Sequence, residues 1–219
     1  MQLVNSDIAD MRLSYASSTL DDAAKHAANP LLLFDEWLTA AKVSEHEANA
    51  MCVGTAGLDG RPSARIVLLK AFDERGFVFY TNYNSRKSRN LTENQWASIT
   101  FYWKERQVRI EGRAERTSAE ESDAYFATRP RVSQIGAWVS NNQSSKVESR
   151  ALLETREKEL ERQFEASESI PRPEFWGGWR ISCDQIEFWQ GRVGRIHDRI
   201  LFERSADSTT GWASSRLSP

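Results

Sequence analysis

Several things are scarce in this sequence, and each scarcity removes a class of function. Cysteine occurs twice in 219 residues, at Cys52 and Cys183. No CxxC is present and no pair of histidines stands at HxxxH spacing, which argues against a zinc centre or any other resident metal. Both thiols read as small hydrophobes of a reducing compartment. No run comes near the ~18 apolar residues that a membrane-crossing helix needs. Met1–Asp10 lacks the basic segment and apolar core of a secretory leader. The expectation is a cytoplasmic chain with no membrane partner. A formal charge of −2 gives no ground for nucleic acid as a partner, so any cationic function must come from local clusters. There is no G-x-G-x-x-G and no βαβ rhythm, which removes a dinucleotide-binding Rossmann site.

What the chain does have is enough apolar residue (40%) for a core, and eight tryptophans. Its length fits one domain with helical additions. Among the tryptophans, Trp179 and Trp189 stand directly beside Gly, Arg or Gln, as pocket walls or interface residues do.

Residues 1–29 are polar and weakly patterned and read as an N-terminal arm. Residues 30–219 form the domain proper. Asn29-Pro30 opens a helix whose apolar positions, Leu31, Phe34, Trp37, Leu38 and Ala41, recur at helical spacing. From Ala50 the period changes to two. Ala50–Thr55, Ala64–Phe72 and Gly76–Thr81 read as strands, with turns at Asp59-Gly60 and Glu74–Gly76. The continuous apolar run Ile66–Leu69 predicts a strand covered on both faces. Ser85 caps a short helix, and its backbone N–H groups with Arg86 and Lys87 make an anion site.

Ala97–Trp103 and Gln107–Arg116 form a further hairpin, and Ser118–Glu121 is a capping box opening a helix to Thr128. Tyr125, Arg129 and Ser133 gather a phenol, a guanidinium and a hydroxyl at that helix end, all able to hold phosphate oxygens. Gln134–Ser145 reads as a polar loop and Lys146–Glu165 as a charged amphipathic helix. Arg180–Cys183, Gln185–Trp189, Arg195–Arg204 and Trp212–Arg216 are the last strands. The order is mainly β with peripheral helices, an antiparallel barrel pattern.

One stretch carries most of the chemistry. Ile186–Trp189 alternates like a strand, breaks at Gly191 and Gly194, and resumes as Arg195-Ile196-His197-Asp198-Arg199. If this is a strand, Arg195, His197 and Arg199 share a face. With Trp189 they suit a flat, anionic, aromatic ligand. His26 and His46 have no such neighbours and read as surface residues.

Residues 186–199 resemble a signature of the pyridoxine (pyridoxamine) 5′-phosphate oxidase family. So do Arg65–Lys70, Phe79–Asn82, Ser85–Lys87, Arg106–Arg109, Arg129–Trp138, Gln143–Ser145 and Phe175–Gly178, in order, from about Pro30 to Pro219. The resemblance implies an FMN-binding split β-barrel and a homodimer with flavin sites at the subunit interface. It assigns FMN contacts to Arg65, Ile66, Val67, Leu68, Leu69 and Lys70, to Tyr80, Thr81 and Gln107, and to Arg86 and Lys87 at the phosphate. Gln143, Ser144, Trp189 and Arg199 would reach FMN from the partner subunit. Lys70, Tyr125, Arg129 and Ser133 would hold the substrate phosphate. Arg195 and His197 would face the substrate ring as catalytic residues, with Arg12 and Tyr15 on a covering arm.

The implied reaction oxidises the C4′ alcohol of pyridoxine 5′-phosphate or the amine of pyridoxamine 5′-phosphate to the aldehyde, with O2 as acceptor and hydrogen peroxide as product. The cofactor carries the electron chemistry, and the protein stacks, anchors and aligns. Two other readings remain: a related flavin oxidoreductase of another pathway, such as a phenazine-pathway oxidase, or a non-catalytic flavin or pyridoxal-phosphate carrier.

Overall fold

A computed structural model describes residues 15, 19–20, 29–208 and 210–219. The arm expected over residues 1–29 therefore lies outside the described residues, except at Tyr15, Thr19, Leu20 and Asn29, and Arg12 lies outside with it. No described helix is long and apolar enough to cross a membrane.

Helix α1 (Pro30–Ser44) starts where expected: the Asn29 side chain accepts from the Leu31 N–H, and Leu31, Phe34, Trp37, Leu38 and Ala41 are buried. Strands β1 (Ala50–Ala56) and β2 (Pro62–Leu68) form a hairpin. β3 (Ala71–Asp73) and β4 (Gly76–Asn82) form a second, tighter one. Helix α2 (Arg86–Glu93) is capped by the Ser85 hydroxyl. The long strands β5 (Trp96–Trp103) and β6 (Arg106–Arg116) follow. Helix α3 (Ala119–Ala127) is capped by Ser118, and α4 (Arg131–Val139) and α5 (Arg150–Phe164) come after it. The chain ends with β7 (Trp176–Ile181), β8 (Gln185–Gln190), a 3-10 turn at Val193–Arg195, β9 (Asp198–Arg204) and β10 (Trp212–Arg216).

Two compact units emerge, with β5 and β6 each contributing to both. The larger comprises Asn49–Phe101 and Ile110–Asp184. In it β1 lies between β2 and β5, with Val53 opposite both Arg65 and Ile99. β4 lies between β3 and β7, which also pairs with β6. Val53, Phe77, Phe79, Ile99, Ile110 and Ile181 are fully buried, each contributing roughly 1.5–3 kcal/mol of transfer free energy. A satellite cluster of Phe126, Ile135, Phe164, Ile170 and Trp176 lies among the helices and β7. At β7 two glycines are obligatory. A Cβ on Gly177 would strike the Tyr83 ring, and one on Gly178 would strike the Thr117 side chain.

The smaller unit holds residues 1–48, 102–109 and 185–219, with strand order β10-β9-β8-β6. Here α1 packs through Trp37, edge-on to Phe188 at 5.2 Å, while Arg106 lies 4.6 Å over the Trp37 ring. The Trp103 indole N–H donates to the Ala48 carbonyl at 2.9 Å.

Four expectations need correction. Ile66–Leu69 is not covered on both faces: Ile66 is 65% exposed, and Ile66, Val67 and Leu68 line an open cavity. The expected strand Ala64–Phe72 breaks at Leu69-Lys70, giving two strands. Gln134 to Val139 belongs to helix α4, because Pro130 starts a helix whose Ile135 and Ala137 are buried; the long charged helix begins only at Arg150. Arg195 and His197 precede β9. Gly194 and Arg195 both take positive φ (71° and 62°), which turns the chain and cancels the strand alternation assumed for them.

Of the two thiols, Cys183 is buried and Cys52 half-buried, and neither is in a disulfide.

Candidate functional site

The larger unit contains a cavity of about 670 Å³, within the range of small-molecule sites. Strand β2 contributes Arg65, Ile66, Val67 and Leu68, and Lys70 follows it. Strand β4 contributes Tyr80, Thr81 and Asn82, and α2 contributes Lys87. The α3–α4 corner supplies Tyr125, Thr128, Arg129 and Ser133, and β7 supplies Trp176. Among the described residues that line the cavity, four are cationic and none is a carboxylate, a histidine or a cysteine. Such a cavity binds anions and orients rings. It offers no general base beyond an amine or a phenol.

Local structure explains how the cations are held without acids. Arg65 reaches back across β1, donating to the Val53 carbonyl (2.9 Å), Thr55 Oγ1 (3.0 Å) and Ser63 Oγ (2.8 Å). Burial, and then the charge of Arg86, lower its pKa. Lys87 Nζ donates to Thr81 Oγ1 at 2.8 Å and Gln143 Oε1 at 3.1 Å. Burial, helped by the charge of Arg65, brings its pKa down to about 8. The Arg86 backbone N–H, at the start of α2, donates to Ser144 Oγ at 3.3 Å, so the expectation that Gln143 and Ser144 come from the partner subunit needs correction: both meet the start of α2 within one chain. Asn82 ties this corner together, its Nδ2 donating to the Ser140 carbonyl and its Oδ1 accepting from the Asn84 N–H at 2.6 Å.

The other end is aromatic. Tyr80 and Tyr125 stack at 4.0 Å, with Trp176 nearly parallel to both. The Tyr80 hydroxyl donates to the Glu121 carbonyl at 3.4 Å, and burial raises its pKa. The Arg129 guanidinium lies 4.6 Å over Trp176 and 5.6 Å over Phe126, and its Nη1 is buried without a hydrogen-bond partner. A buried donor left unmade costs about 1–3 kcal/mol, so this nitrogen is poised for an acceptor.

Arg65 to Leu68, Lys70, Tyr80, Thr81, Lys87, Tyr125, Arg129, Ser133 and Gln143 thus line one cavity. Leu69 does not join them. It is buried, and its backbone pairs with Asn49. Arg86 is exposed. Among the wall residues to which the sequence assigned no role are Asn82 and Trp176, although both stand in the motif blocks Phe79–Asn82 and Phe175–Gly178. The signal for Trp176 was available: a tryptophan directly before two glycines that close packing makes compulsory.

Gln107, Trp189, Arg195, His197, Arg199 and Tyr15 belong to the smaller unit. Three of them cluster: His197 lies 4.8 Å from Trp189 and 5.7 Å from Tyr15. The Arg192 backbone N–H donates to His197 Nδ1 at 3.1 Å, so a neutral imidazole carries its proton on Nε2 and presents a donor there. Arg199 Nε donates to Glu187 at 2.8 Å. Gln107 is half-buried on β6, and Arg195 is exposed. Ser144 and Arg195 are two of the non-glycine residues with positive φ, a conformation that costs about 1–3 kcal/mol and gathers at functional sites.

Comparison with known proteins agrees with this geometry. Residues 38–164 match the family described as pyridoxamine 5′-phosphate oxidase, and residues 176–219 match the pyridoxine 5′-phosphate oxidase C-terminal dimerisation region. Among curated relatives, the pyridoxine/pyridoxamine 5′-phosphate oxidase of Burkholderia vietnamiensis is 54% identical over 97% of this chain and 99% of its own. The protein of the same name from Burkholderia cenocepacia is 53% identical over the same shares. Among solved structures, PhzG from Burkholderia lata, in complex with tetrahydrophenazine-1-carboxylic acid, is 30% identical, with a TM-score of 0.85 over 94% of this chain and 100% of its own. A pyridoxamine 5′-phosphate oxidase-related, FMN binding protein from Nostoc punctiforme shares the fold at 16% identity, with a TM-score of 0.68 over 87% of this chain and 98% of its own. With more than half its length matched, this chain belongs to the pyridoxamine 5′-phosphate oxidase family of enzymes.

Proposed function

We propose that the chain is an FMN-dependent oxidase of pyridoxine 5′-phosphate and pyridoxamine 5′-phosphate, acting as a cytoplasmic homodimer and releasing pyridoxal 5′-phosphate. The observation that carries this reading is the cavity with four cations, stacked rings and no carboxylate, which suits flat, phosphorylated ligands. The 54% identity to a curated oxidase of that name supports it.

FMN fits the residues present. Lys87 and the N-terminus of α2 would hold its phosphate, with Arg65 and Arg86 adding positive potential. Gln107 and the β2 residues up to Lys70 would hold the rest, as would Tyr80 and Thr81. Gln143 and Ser144, bonded to Lys87 and the Arg86 N–H in the same chain, would join them, and in the dimer Trp189 and Arg199 would come from the partner. The chemistry a bound FMN would supply is acceptance of a hydride equivalent from the substrate's C4′, with O2 as final acceptor and hydrogen peroxide as product; when the substrate is the amine, water adds at C4′ to supply the aldehyde oxygen and ammonia leaves.

The remaining work falls to this chain's side chains. Lys70, Tyr125, Arg129 and Ser133 bind the substrate phosphate and so fix where the ring lies. Arg195 lies against the substrate ring and limits its motion. His197 donates from Nε2 to the ring's phenolic oxygen, with the Tyr15 ring beside it. Binding energy from the remote phosphate is thereby used to align C4′.

The test is direct. Purified protein shows flavin absorbance, bleaches on anaerobic addition of pyridoxine 5′-phosphate, and releases peroxide when air is admitted. Protein that is colourless and binds no added FMN, or flavoprotein that neither bleaches nor makes peroxide, overturns the reading. The likeness to PhzG supports a second reading, oxidation of a reduced phenazine precursor. Bleaching by tetrahydrophenazine-1-carboxylic acid, with none by the phosphorylated pyridines, would favour it.

A further inference from the structure

We propose that Trp176 is the positioning residue for Arg129, its indole fixing the plane of the guanidinium and thereby setting how tightly the cavity takes a phosphate ester. The proposal rests on the functional reading above only for its kinetic test.

A half-buried arginine with a buried donor is ordinarily held by acceptors that use up its N–H groups. Arg129 departs from that. Its Nη1 is buried and unpaired, no carboxylate lines the cavity, and the contacts on its flat face are aromatic, Trp176 at 4.6 Å and Phe126 at 5.6 Å. Stacking on a ring restrains the plane of a guanidinium while leaving its in-plane donors available. A carboxylate at the same place would restrain it and occupy the donors together. For an arginine that must receive a phosphate in fork geometry, the ring is the better support.

The platform is itself immobile. Trp176 is 6% exposed, sits at the start of β7 opposite Asn82, and packs edge-on against Phe126 at 5.1 Å. Its backbone N–H donates to the Pro173 carbonyl at 3.0 Å, and its carbonyl accepts from Arg172 at 2.7 Å. Nearly parallel Tyr80 and Tyr125 back it. One indole therefore serves two pieces of the cavity: the ring stack and the cationic fork.

The experiment compares Trp176→Phe and Trp176→Leu in the native sequence and in an Arg129→Gln background, using FMN-saturated enzyme. In the native background KM for pyridoxine 5′-phosphate rises about threefold for Phe and about tenfold for Leu, and kcat changes less than KM does. In the Arg129→Gln background the same substitutions leave KM unmoved, because the group they act through is gone. Equal KM changes in both backgrounds overturn the proposal, as does an unchanged KM in the native one. If Trp176→Leu does not fold, the Phe pair alone decides. If the wild-type protein does not turn over the substrate, the functional reading fails by itself. The proposal is then decided by calorimetric titration of inorganic phosphate into the same variants, where the same pattern in Kd supports it and background-independent changes overturn it.

Discussion

The cavity of the larger unit and the ion-pair clusters of the smaller one hold arginine in opposite ways. In the smaller one guanidiniums are matched to carboxylates: Arg109 and Arg199 share Glu187, and Arg192 and Arg216 share Asp198. In the cavity of the larger one, Arg65 rests on neutral oxygens and Arg129 on aromatic faces. Matched charges cross-link strands β6, β8, β9 and β10, and their potential cancels at short range. Unmatched cations leave a standing positive potential that an anionic ligand must complete. Charge balance, more than charge count, separates structural arginines from binding ones here.

The largest effect should follow from removing an unmatched cation. Arg129→Gln deletes a partly desolvated charge that nothing else replaces. KM for the phosphorylated substrates rises on the order of 100-fold, the loss of a charge-assisted pair, while bound FMN is retained. Thermal stability falls little, because no carboxylate is orphaned. Steady-state kinetics and flavin stoichiometry on one preparation check both halves. A large drop in Tm with unchanged KM would erase the contrast between the units.

The reciprocal experiment removes an acid from the matched set. Glu187 is 7% exposed and serves two guanidiniums, which are themselves 42% and 27% exposed as side chains. Glu187→Ala leaves both without that partner. Full burial would make the loss about 3–5 kcal/mol. Solvent around the arginines reduces it to roughly 2 kcal/mol, or about 4–8 °C in Tm for a chain this long. Calorimetry measures it. A Tm within about 1 °C of wild type would mean these ion pairs do not hold the strands.

Lys87 sharpens the comparison through pH. Burial and the charge of Arg65 depress its pKa to about 8 in the ligand-free chain. A bound phosphate favours the charged amine and raises that value. The sign follows: binding takes up a proton above pH about 8, so the affinity for FMN falls as pH rises through that region, up to about tenfold per pH unit. Fluorescence titration of FMN into apoprotein from neutral pH upward measures this. Lys87→Arg, charged throughout, flattens the profile. Without FMN, a lysine with a lowered folded pKa makes the protein more stable as pH climbs from that value towards the ordinary lysine range, since the unfolded chain then binds more protons.

Much of this was legible in the sequence, though unevenly. Helix α1, the caps at Ser85 and Ser118, and most strands followed from local rules, because Asn29-Pro30, capping hydroxyls and period-two patterns act within a few residues. The misreadings came where distant contacts decide. Helix α4 hides behind polar Asn141 and Asn142, and its burial depends on Phe126 and Phe164, far off in sequence. The apolar look of Ile66–Leu68 reflects cavity lining and not a covered strand. The turn at Gly194-Arg195 defeated the alternation argument, because a left-handed arginine leaves no signature in residue type. Cavity residues could be named from motif blocks, but that Arg129 stands on Trp176 could not, since nothing in residue spacing joins two side chains 47 positions apart.

The smallest effect tests the comparison inside the larger unit itself. Asp73 and Glu121 there are each bridged by two arginines, Arg180 and Arg75. Arg180 is 5% exposed, while the Arg75 side chain is 64% exposed. Burial would by itself raise the Asp73 pKa, but hydrogen bonds from Arg75 and the charge of Arg180 outweigh it and hold the carboxyl low. A depressed carboxyl contributes stability above its unfolded pKa and loses it as pH falls through the folded one. Arg75→Ala should therefore lower Tm by no more than about 1 °C at neutral pH, and by less once acid has protonated Asp73. Arg180→Ala, which leaves the two acids only the solvated partner, should cost several times more. If the two substitutions prove equal, depth of burial is not what separates a structural ion pair from a decorative one in this unit, and the reading of Arg129 as an arginine kept unmatched for a ligand weakens with it.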